Sequence, residues 1–155
     1  MNLSLEQKAP RAYIEGSVIF HDLTLKVSPA CLIPRQESEL LVERALKRFP
    51  LDGDILDLCT GSGALGLSIK KLRSSLNVTL SDISNEALVH AKGNATANLL
   101  DVSVVEGDFL QPFEDRLFDG VICNPPYVTE EEYNHLDPSV KDFEPKLALV
   151  GGEDG

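Results

Sequence analysis

Short apolar runs alternate with amphipathic segments from about Leu51 to Cys123, and this alternation constrains the fold more than any other feature of the chain. The apolar runs predict buried strands, and apolar residues three or four positions apart predict helices. The predicted strands are Asp54–Cys59, Asn77–Ser81, Val102–Val105 and Phe118–Cys123. The predicted helices are Gln36–Phe49, Gly63–Leu72 and Asn85–Leu99. Strands that alternate with helices indicate an α/β fold with a parallel sheet and right-handed crossovers.

The last of these helices is predicted to begin at the N-cap Ser84 and to bury a stripe of apolar side chains: Leu88, Ala91, Ala95 and Leu99. Before the alternation, Ala12–Phe20 and Leu23–Val27 flank a break at His21-Asp22 and predict a β-hairpin. The sequence therefore divides into an N-terminal segment with a hairpin, residues 1–30, and a larger α/β unit, residues 31–155. A length of 155 residues is that of one domain with a sizeable core.

The charge and the cysteines exclude several classes of protein. A net charge of −11, from 25 acidic and 14 basic side chains, argues against direct nucleic-acid binding, which relies on Lys and Arg to neutralise phosphates. The cysteines and histidines are scattered along the chain, at Cys31, Cys59, Cys123, His21, His90 and His135. We therefore expect neither a disulfide framework nor a metal site, and no catalytic histidine. No signal peptide or membrane-length apolar stretch is recognisable, which favours the cytoplasm and argues against a membrane partner.

A glycine-rich turn follows the first predicted strand of the α/β unit. Gly61, Gly63 and Gly66 have the G-x-G-x-x-G spacing of dinucleotide-binding folds, in which small residues let the backbone approach a ligand. Asp82 ends the second strand, at about the distance expected for a carboxylate that binds ribose hydroxyls. The pattern fits NAD or S-adenosylmethionine, and the structural alternative is a tight strand–helix turn without a ligand.

Two further features favour S-adenosylmethionine over NAD. Asp57 lies inside the first strand, where a carboxylate suits the cationic methionine portion and is ill placed beside a pyrophosphate. The third strand leads to Gly107-Asp108-Phe109, in which a carboxylate and an aromatic ring are suited to the amino group and ring of adenine. We therefore expect S-adenosylmethionine as the cofactor.

The fourth strand ends in Asn124-Pro125-Pro126-Tyr127. Proline has a fixed φ and no N–H group, so the loop offers the Asn124 side-chain oxygen and backbone carbonyls as acceptors with few competing donors. Tyr127 adds an aromatic face. The loop therefore predicts a site for a planar group that carries an NH₂, either an amide or an exocyclic amine. The alternative is a proline-rich turn that only caps the strand.

Five segments together carry a resemblance to a known family: Ile33–Glu39, Asp57–Gly63, Asn124–Tyr127, Phe143–Pro145 and Ala148–Gly152. They resemble the release-factor glutamine methyltransferases, which methylate the glutamine side-chain nitrogen in the Gly-Gly-Gln motif of peptide chain release factors. The resemblance extends from about Ala9 to Gly155. It implies a Rossmann-like class I S-adenosylmethionine-dependent methyltransferase sheet preceded by a β-hairpin. Four predicted strands, where such sheets have seven, suggest that this sheet is incomplete at its C-terminal side.

The resemblance also implies the roles of individual residues. It implies cofactor contacts for Asp57, Cys59, Thr60, Gly61, Ser62, Gly63, Asp82, Asp108, Phe109 and Asn124. The methionine part would lie against Cys59–Gly63, the ribose on Asp82 and the adenine beside Asp108 and Phe109. It implies catalytic roles, in a pocket for the substrate glutamine, for Asn124, Pro125, Pro126 and Tyr127.

Two other functions remain open at this point. An adenine-N6 nucleic-acid methyltransferase shares the Asn-Pro-Pro-Tyr loop, although the acidic charge and the lack of a target-recognition segment argue against it. A non-catalytic cofactor-binding fragment is the other alternative, because Met1–Lys8 is too short to form the family's N-terminal recognition domain and the sheet has few strands. We expect release factors as partners and no direct nucleic-acid contact. For the exposed edge of the fourth strand we expect either that further strands of the sheet lie outside this sequence or that the edge pairs with another chain.

Overall fold

A computed structural model of the protein describes residues 8–155. In chain order its elements are α1 (Arg11–Glu15), β1 (Ser17–Phe20), β2 (Leu23–Lys26), α2 (Ser38–Leu46), β3 (Gly53–Leu58), α3 (Ala64–Leu72), β4 (Leu76–Asp82), α4 (Asn85–Ala97), β5 (Ser103–Glu106), β6 (Gly120–Cys123), β7 (Val128–Thr129), α5 (Glu130–Asn134), α6 (Pro138–Lys141) and β8 (Val150–Gly152). Short 3₁₀ turns cover Gln111–Phe113 and Lys146–Ala148. The prediction about Met1–Lys8 falls almost wholly on residues 1–7, which lie outside the described residues.

The central sheet has the order β5-β4-β3-β6, and all its pairs are parallel. Leu58, the last residue of β3, lies opposite Ser81 on one side and Cys123 on the other. The strand order reverses between β3 and β6, and such a switch point opens a crevice at the carboxyl ends of the strands. The predicted parallel α/β arrangement is therefore confirmed, and the predicted site residues follow the strands that meet at this crevice.

One hydrophobic core joins the sheet, the helices and the N-terminal hairpin. Ile55, Leu67 and Leu80 are fully buried in the sheet and α3. The hairpin contributes Phe20 and Leu25 to the same core. The hairpin is therefore fastened to the α/β unit by buried apolar contacts, while the division at residue 30 stays a prediction.

Part of the predicted hairpin is wrong. The first strand was expected to begin at Ala12, but Ala12–Glu15 lies in helix α1, which follows Pro10 and ends at Gly16 with a left-handed φ of 70°. Proline suits a helix start and glycine a helix end, and these two signals outweigh the apolar pattern between them. The hairpin itself is confirmed over β1 and β2.

The end of α4 is also different from the prediction. Leu99 was expected to be buried, but it is 93% exposed and has a φ of 57°. The helix ends at Ala97, and Leu100 packs against the core instead. The fourth strand of the sheet begins at Gly120 rather than at Phe118, because the Phe118 ring packs edge-on against Phe113, outside the strand ladder.

A second, much smaller parallel pair was not predicted. β7 and β8 pair from Val128 to Val150 and from Thr129 to Gly152, and Leu149 O accepts hydrogen bonds from the backbone N–H groups of Tyr127 and Val128. Strands of two and three residues have no measurable periodicity, so the sequence carries no signal for them. This pair brings the C-terminal segment against the Asn124–Tyr127 loop.

Within residues 8–155, β6 pairs with β3 alone, so its other edge is free. Val121 is half exposed on this strand, and a shallow groove beside it has mainly apolar walls: Leu110, Phe113, Leu117, Phe118 and Val121. None of the helices in this described part of the chain is long and apolar enough to cross a membrane.

Candidate active site

The glycine-rich turn after β3 is bent by left-handed backbone at Cys59, Gly61 and Gly63, with φ of 59°, 55° and 87°. The backbone N–H of Thr60 donates to Ser81 O at 2.9 Å, so the turn is tied to the neighbouring strand β4. Gly63 N–H donates back to Thr60 O at 2.9 Å and closes the turn before α3 begins. The turn is therefore held rigidly at the crevice.

Gly66 lets α3 lie directly on the sheet. A Cβ at this position would stand 2.3 Å from Leu80 Cδ2 and 2.9 Å from Asp57 Cβ. Its backbone N–H donates to Asp57 Oδ2 at 2.8 Å. The third glycine of the predicted motif is thus required for close packing between the helix and the sheet.

Asp57 supports the turn from below. It is fully buried, and its Oδ2 also accepts a hydrogen bond from Thr60 Oγ1 at 2.5 Å, while its Oδ1 has no partner. Burial raises the pKa of Asp57 to about 7, against the lowering effect of the two hydrogen bonds. Asp57 does not line the cavity at the crevice, so its predicted place near the methionine portion remains a prediction.

Asp82 organises the next strand end. Its Oδ2 accepts the backbone N–H of Gly61 at 2.9 Å, and its Oδ1 accepts that of Ser84 at 3.0 Å. Its backbone carbonyl accepts the N–H of Gly107, directly before Asp108 and Phe109. One residue therefore joins the glycine-rich turn, the start of α4 and the loop after β5.

No sequence pattern singles out Asn94, although its side chain is fully buried beside the turn. It exchanges two hydrogen bonds with the backbone of Lys26 in β2 and donates a third to Ser62 O at 2.9 Å. This amide fastens the hairpin to the glycine-rich turn. A lone Asn inside a predicted helix carries no signal of such contacts, because both partners are distant in sequence.

A cavity of about 300 Å³ lies at the crevice and brings most of the predicted site residues together. The predicted residues that line it are Cys59, Thr60, Gly61, Ser62, Asp82, Asp108, Phe109, Asn124 and Pro126. Four other predicted residues do not line it: Asp57, Gly63, Pro125 and Tyr127. Gly63 precedes α3, and Tyr127 is 69% exposed.

Two walls of the cavity were not assigned from the sequence. One comes from the segment before α2 and the other from the segment that leads into β8; the lining residues are Ala30, Cys31, Leu32, Pro34, Arg35, Ser38, Pro145, Leu147, Ala148, Val150 and Gly151. Most of these residues, but not Ala30, Cys31, Leu32 and Leu147, fall in segments that carry the family resemblance. Motif similarity therefore marked them, although it gave no roles to their side chains.

The cavity lining includes the half-buried Cys59. Its neighbour Cys123 and burial both raise the pKa of the Cys59 thiol. A thiol that keeps its proton is a poor nucleophile, so Cys59 is not suited to nucleophilic catalysis. Within residues 8–155 there is no group of three or more His, Cys, Asp or Glu side chains placed to hold a metal ion.

The three histidines lie outside the cavity, and each forms a hydrogen bond through its ring. A His21 ring nitrogen is 3.1 Å from Glu39 O, that of His90 is 2.8 Å from Ser28 Oγ, and that of His135 is 2.9 Å from Glu131 O. The cavity thus combines a backbone turn, carboxylates and the Asn124 amide. This set can bind and orient a ligand, and it contains no imidazole base.

The strand order, the glycine-rich turn and the carboxylate at the end of β4 define a Rossmann-like fold of the class I S-adenosylmethionine-dependent methyltransferases. One similar structure is the Pyrococcus abyssi tRNA (uracil-54, C5)-methyltransferase in complex with S-adenosyl-L-homocysteine, with a TM-score of 0.60 and 22% identity over 71% of this chain and 28% of that one. Another is the T. thermophilus 16S rRNA N2 G1207 methyltransferase in complex with AdoMet and guanosine, with a TM-score of 0.60 and 20% identity over 74% of this chain and 33% of that one.

The chain belongs to the methyltransferase small domain family, whose model matches residues 36–139. Curated relatives named release factor glutamine methyltransferase are similar to it. That of Chlamydia trachomatis is 43% identical over 96% of this chain and 52% of its own length. That of Clostridium acetobutylicum is 44% identical over 97% of this chain and 55% of its own length. The chain therefore spans about half the length of the curated relatives it matches.

Proposed function

We propose that this chain forms the catalytic region of an S-adenosylmethionine-dependent methyltransferase that acts on the glutamine side-chain nitrogen in the Gly-Gly-Gln motif of peptide chain release factors. The observation that carries the proposal is that Asn124 lines the same cavity as the glycine-rich turn and Asp82. A side-chain amide that can accept hydrogen bonds thus lies beside a turn and a carboxylate suited to a nucleotide-like cofactor. The names of the relatives support glutamine as the substrate.

The cavity residues fit S-adenosylmethionine. The turn Cys59–Ser62 would hold the methionine part, Asp82 the ribose, and Asp108 with Phe109 the adenine. Asp82 keeps free lone pairs for hydroxyl donors, because each of its oxygens accepts one backbone N–H. When bound, the cofactor supplies an electrophilic methyl group on a positively charged sulfur. The Asp57 carboxyl group, whose Oδ1 has no hydrogen-bond partner below the turn, would supply negative potential when it is ionised.

Asn124 and Pro125 would orient the substrate. A carboxamide nitrogen is a poor nucleophile because its lone pair is delocalised into the carbonyl. The Asn124 side-chain oxygen and the Pro125 carbonyl would accept its two N–H hydrogens and direct the lone pair towards the cofactor half of the cavity. Such positioning lowers a barrier by roughly 7–11 kcal/mol when the geometry is near attack. The nitrogen loses its proton after transfer, so no general base is needed beforehand.

An adenine-N6 methyltransferase is the weaker proposal for the same loop, because the chain has a net charge of −11 and its relatives are named for glutamine. Calorimetric titration with S-adenosylmethionine and with NAD tests the cofactor, and binding of the first alone is expected. Methyl transfer to a protein with a Gly-Gly-Gln motif is then compared with transfer to adenine in DNA. Transfer to DNA alone would overturn the proposal, and binding without transfer would identify a non-catalytic cofactor-binding fragment.

We also propose that the free edge of β6 pairs with a second copy of this chain, since Val121 and the apolar groove beside it are exposed there. The proposed location is the cytoplasm, where peptide chain termination takes place.

A further inference from the structure

One partly buried ion pair, with Glu144 as its buried partner, joins the two cavity walls that sequence reasoning left without roles. Arg35 Nη2 donates to Glu144 Oε1 at 2.5 Å, and Glu144 Oε2 accepts the backbone N–H of Ile33 at 3.0 Å. Arg35 Nη1 donates to Ile33 O at 3.1 Å. The Glu144 side chain is only 2% exposed and that of Arg35 is 39% exposed. Both carboxylate oxygens are therefore used to hold the segment before α2 against the segment before β8.

Glu144 is connected to the Asn124–Tyr127 loop by a short stretch of chain and two backbone hydrogen bonds. Pro145 and the 3₁₀ turn Lys146–Ala148 connect Glu144 to Leu149, whose carbonyl accepts the N–H groups of Tyr127 and Val128 at 3.1 and 2.9 Å. Leu149 is itself buried. The position of this carbonyl therefore sets the position of the loop backbone.

Gly151 packs closely against the backbone of the same loop. A Cβ at this position would stand 2.6 Å from Pro126 O. The chain around Gly151 is thus packed against the backbone of the loop without room for a side chain. A small shift of the segment from Glu144 to Gly151 would consequently move the loop that carries Asn124.

The other two ion pairs of the described residues are more exposed. Arg11–Glu15 lies within one exposed helical turn, and Lys146–Glu130 has both side chains 51% exposed. Exposed pairs contribute little, whereas removal of one partner of a buried pair leaves an uncompensated group. Arg35 lines the cavity, whereas Glu144 stands behind the wall and touches no ligand space.

We propose that Arg35 and Glu144 form a latch that positions the Asn124–Tyr127 loop for the substrate glutamine. Arg35 and Glu144 are positioning residues. The latch acts on the part of the cavity around the Asn124–Tyr127 loop, which we call the acceptor half, whereas the glycine-rich turn is held separately by β4 and Asn94. The proposal rests on the proposed function for its role in methyl transfer. Its structural part, control of the loop backbone, is testable without any transfer.

The first test is amide hydrogen exchange followed by NMR in Glu144→Gln. Glutamine keeps the shape, but its NH₂ group faces either Arg35 or the Ile33 N–H, so one of the two bonds is lost. Exchange of the Tyr127 and Val128 amides is expected to become about ten- to hundred-fold faster. The Thr60 and Gly63 amides, which close the glycine-rich turn, are expected to keep their rates. Glu15→Gln is the matched control, because it removes the same charge from the exposed pair Arg11–Glu15, which lies within helix α1.

Arg35→Lys and Arg35→Met complete this test and cover the case in which Glu144→Gln does not fold. Arg35→Lys retains the charge and is expected to restore part of the protection that Arg35→Met loses. The double variant Arg35→Met with Glu144→Gln should accelerate exchange by less than the product of the two single effects, since both substitutions act on the same ion pair. Equal acceleration in the glycine-rich turn and the loop, or no acceleration in either, would overturn the latch.

The second test measures methyl transfer to a Gly-Gly-Gln protein. In Glu144→Gln we expect kcat/KM for the protein substrate to fall about tenfold or more, while the Kd for S-adenosylmethionine changes by less than about twofold. A parallel loss of cofactor affinity would contradict the assignment to the acceptor half. Absence of methyl transfer in the unsubstituted chain would count against the proposed function, whereas the exchange experiment would still decide for or against the latch.

Discussion

The cofactor half and the acceptor half of the cavity differ in what holds them. The glycine-rich turn and Asp82 follow β3 and β4, which are paired over six residues in the centre of the sheet. The Asn124–Tyr127 loop leaves the edge strand β6 and is held by the short pair of β7 and β8. The cofactor half therefore belongs to the core, whereas the acceptor half depends on a few contacts between loops.

The two halves therefore control different properties of the domain. A change in the cofactor half disturbs the buried sheet, so it alters the stability of the whole domain. A change in the acceptor half leaves the core intact, so it alters the placement of the substrate. Activity and stability should consequently respond to substitutions at different residues. Each variant below tests whether one of these two properties changes without the other.

The largest effect is expected for Asn124→Ala. Loss of the side-chain acceptor should lower methyl transfer by about 10²–10³-fold, as for other oriented hydrogen-bonding groups in active sites. The melting temperature should stay close to that of the unsubstituted chain, because Asn124 lies in the loop outside the core. Transfer rates and thermal unfolding are measured together. Asn134→Ala, the same substitution at an exposed helix position, is the control, and substantial residual transfer in Asn124→Ala would contradict the mechanism.

Asp57 should make the stability of the cofactor half depend on pH. Its pKa is raised from 3.8 to about 7 in the folded state, so between about pH 4 and pH 7 the folded state binds more protons than the unfolded state. The free energy of unfolding therefore falls as the pH rises through this window, by at most about 4 kcal/mol.

Asp57→Asn should remove this part of the pH dependence. Urea unfolding at a series of pH values measures it, and the slope of stability against pH is compared rather than the absolute stability, since the new NH₂ group lacks a partner. Asp101→Asn, at an exposed position, is the control. Identical slopes in the Asp57→Asn variant and the unsubstituted chain would show that the Asp57 carboxyl group is not the source.

Gly66→Ala should destabilise the domain by about 1–3 kcal/mol, because its Cβ would overlap Leu80 at 2.3 Å. Gly93 provides a matched control in helix α4, since a Cβ there meets no atom within 4 Å. Gly93→Ala should stabilise the domain by about 0.5–1 kcal/mol through helix propensity. Chemical denaturation distinguishes the two signs, and a neutral Gly66→Ala would show that α3 can move away from the sheet.

The smallest effect is expected at the edge where the acceptor half begins. Val121→Lys places a charge on the free edge of β6 and should reduce the dimer population seen by light scattering, with little change in monomer stability. Val121→Thr, which keeps the β-branched shape, is the control. A monomer in the unsubstituted chain at all concentrations would refute pairing through this edge.

Local patterns were sufficient to predict the parallel sheet, the glycine-rich turn and the strand-end Asp82. Apolar periodicity determines strands and helices, and the carboxyl ends of parallel strands necessarily meet at one edge. The same patterns failed at Ala12–Glu15, where the flanking Pro10 and Gly16 decide for a helix. They failed at Leu99 because the helix ends at Ala97 and the chain turns there.

The contacts that complete the cavity could not be read from local patterns. Asn94 reaches the backbone of Lys26 and Ser62, and Glu144 reaches Arg35 from the other end of the chain. No periodicity or motif spacing in the sequence predicts either contact. The β7–β8 pair is likewise too short to leave a pattern.

Local sequence is enough to predict the α/β sheet, the glycine-rich turn and the acceptor-rich loop Asn124–Tyr127, because each arises from residues close together in the chain. The packing of the whole chain is what places Asp57 below the turn rather than in the cavity, and what pairs Arg35 with Glu144. Burial and pairing between distant segments depend on how the whole core packs. Those are the interactions that set a pKa near 7 at Asp57 and fix the backbone beside Pro126.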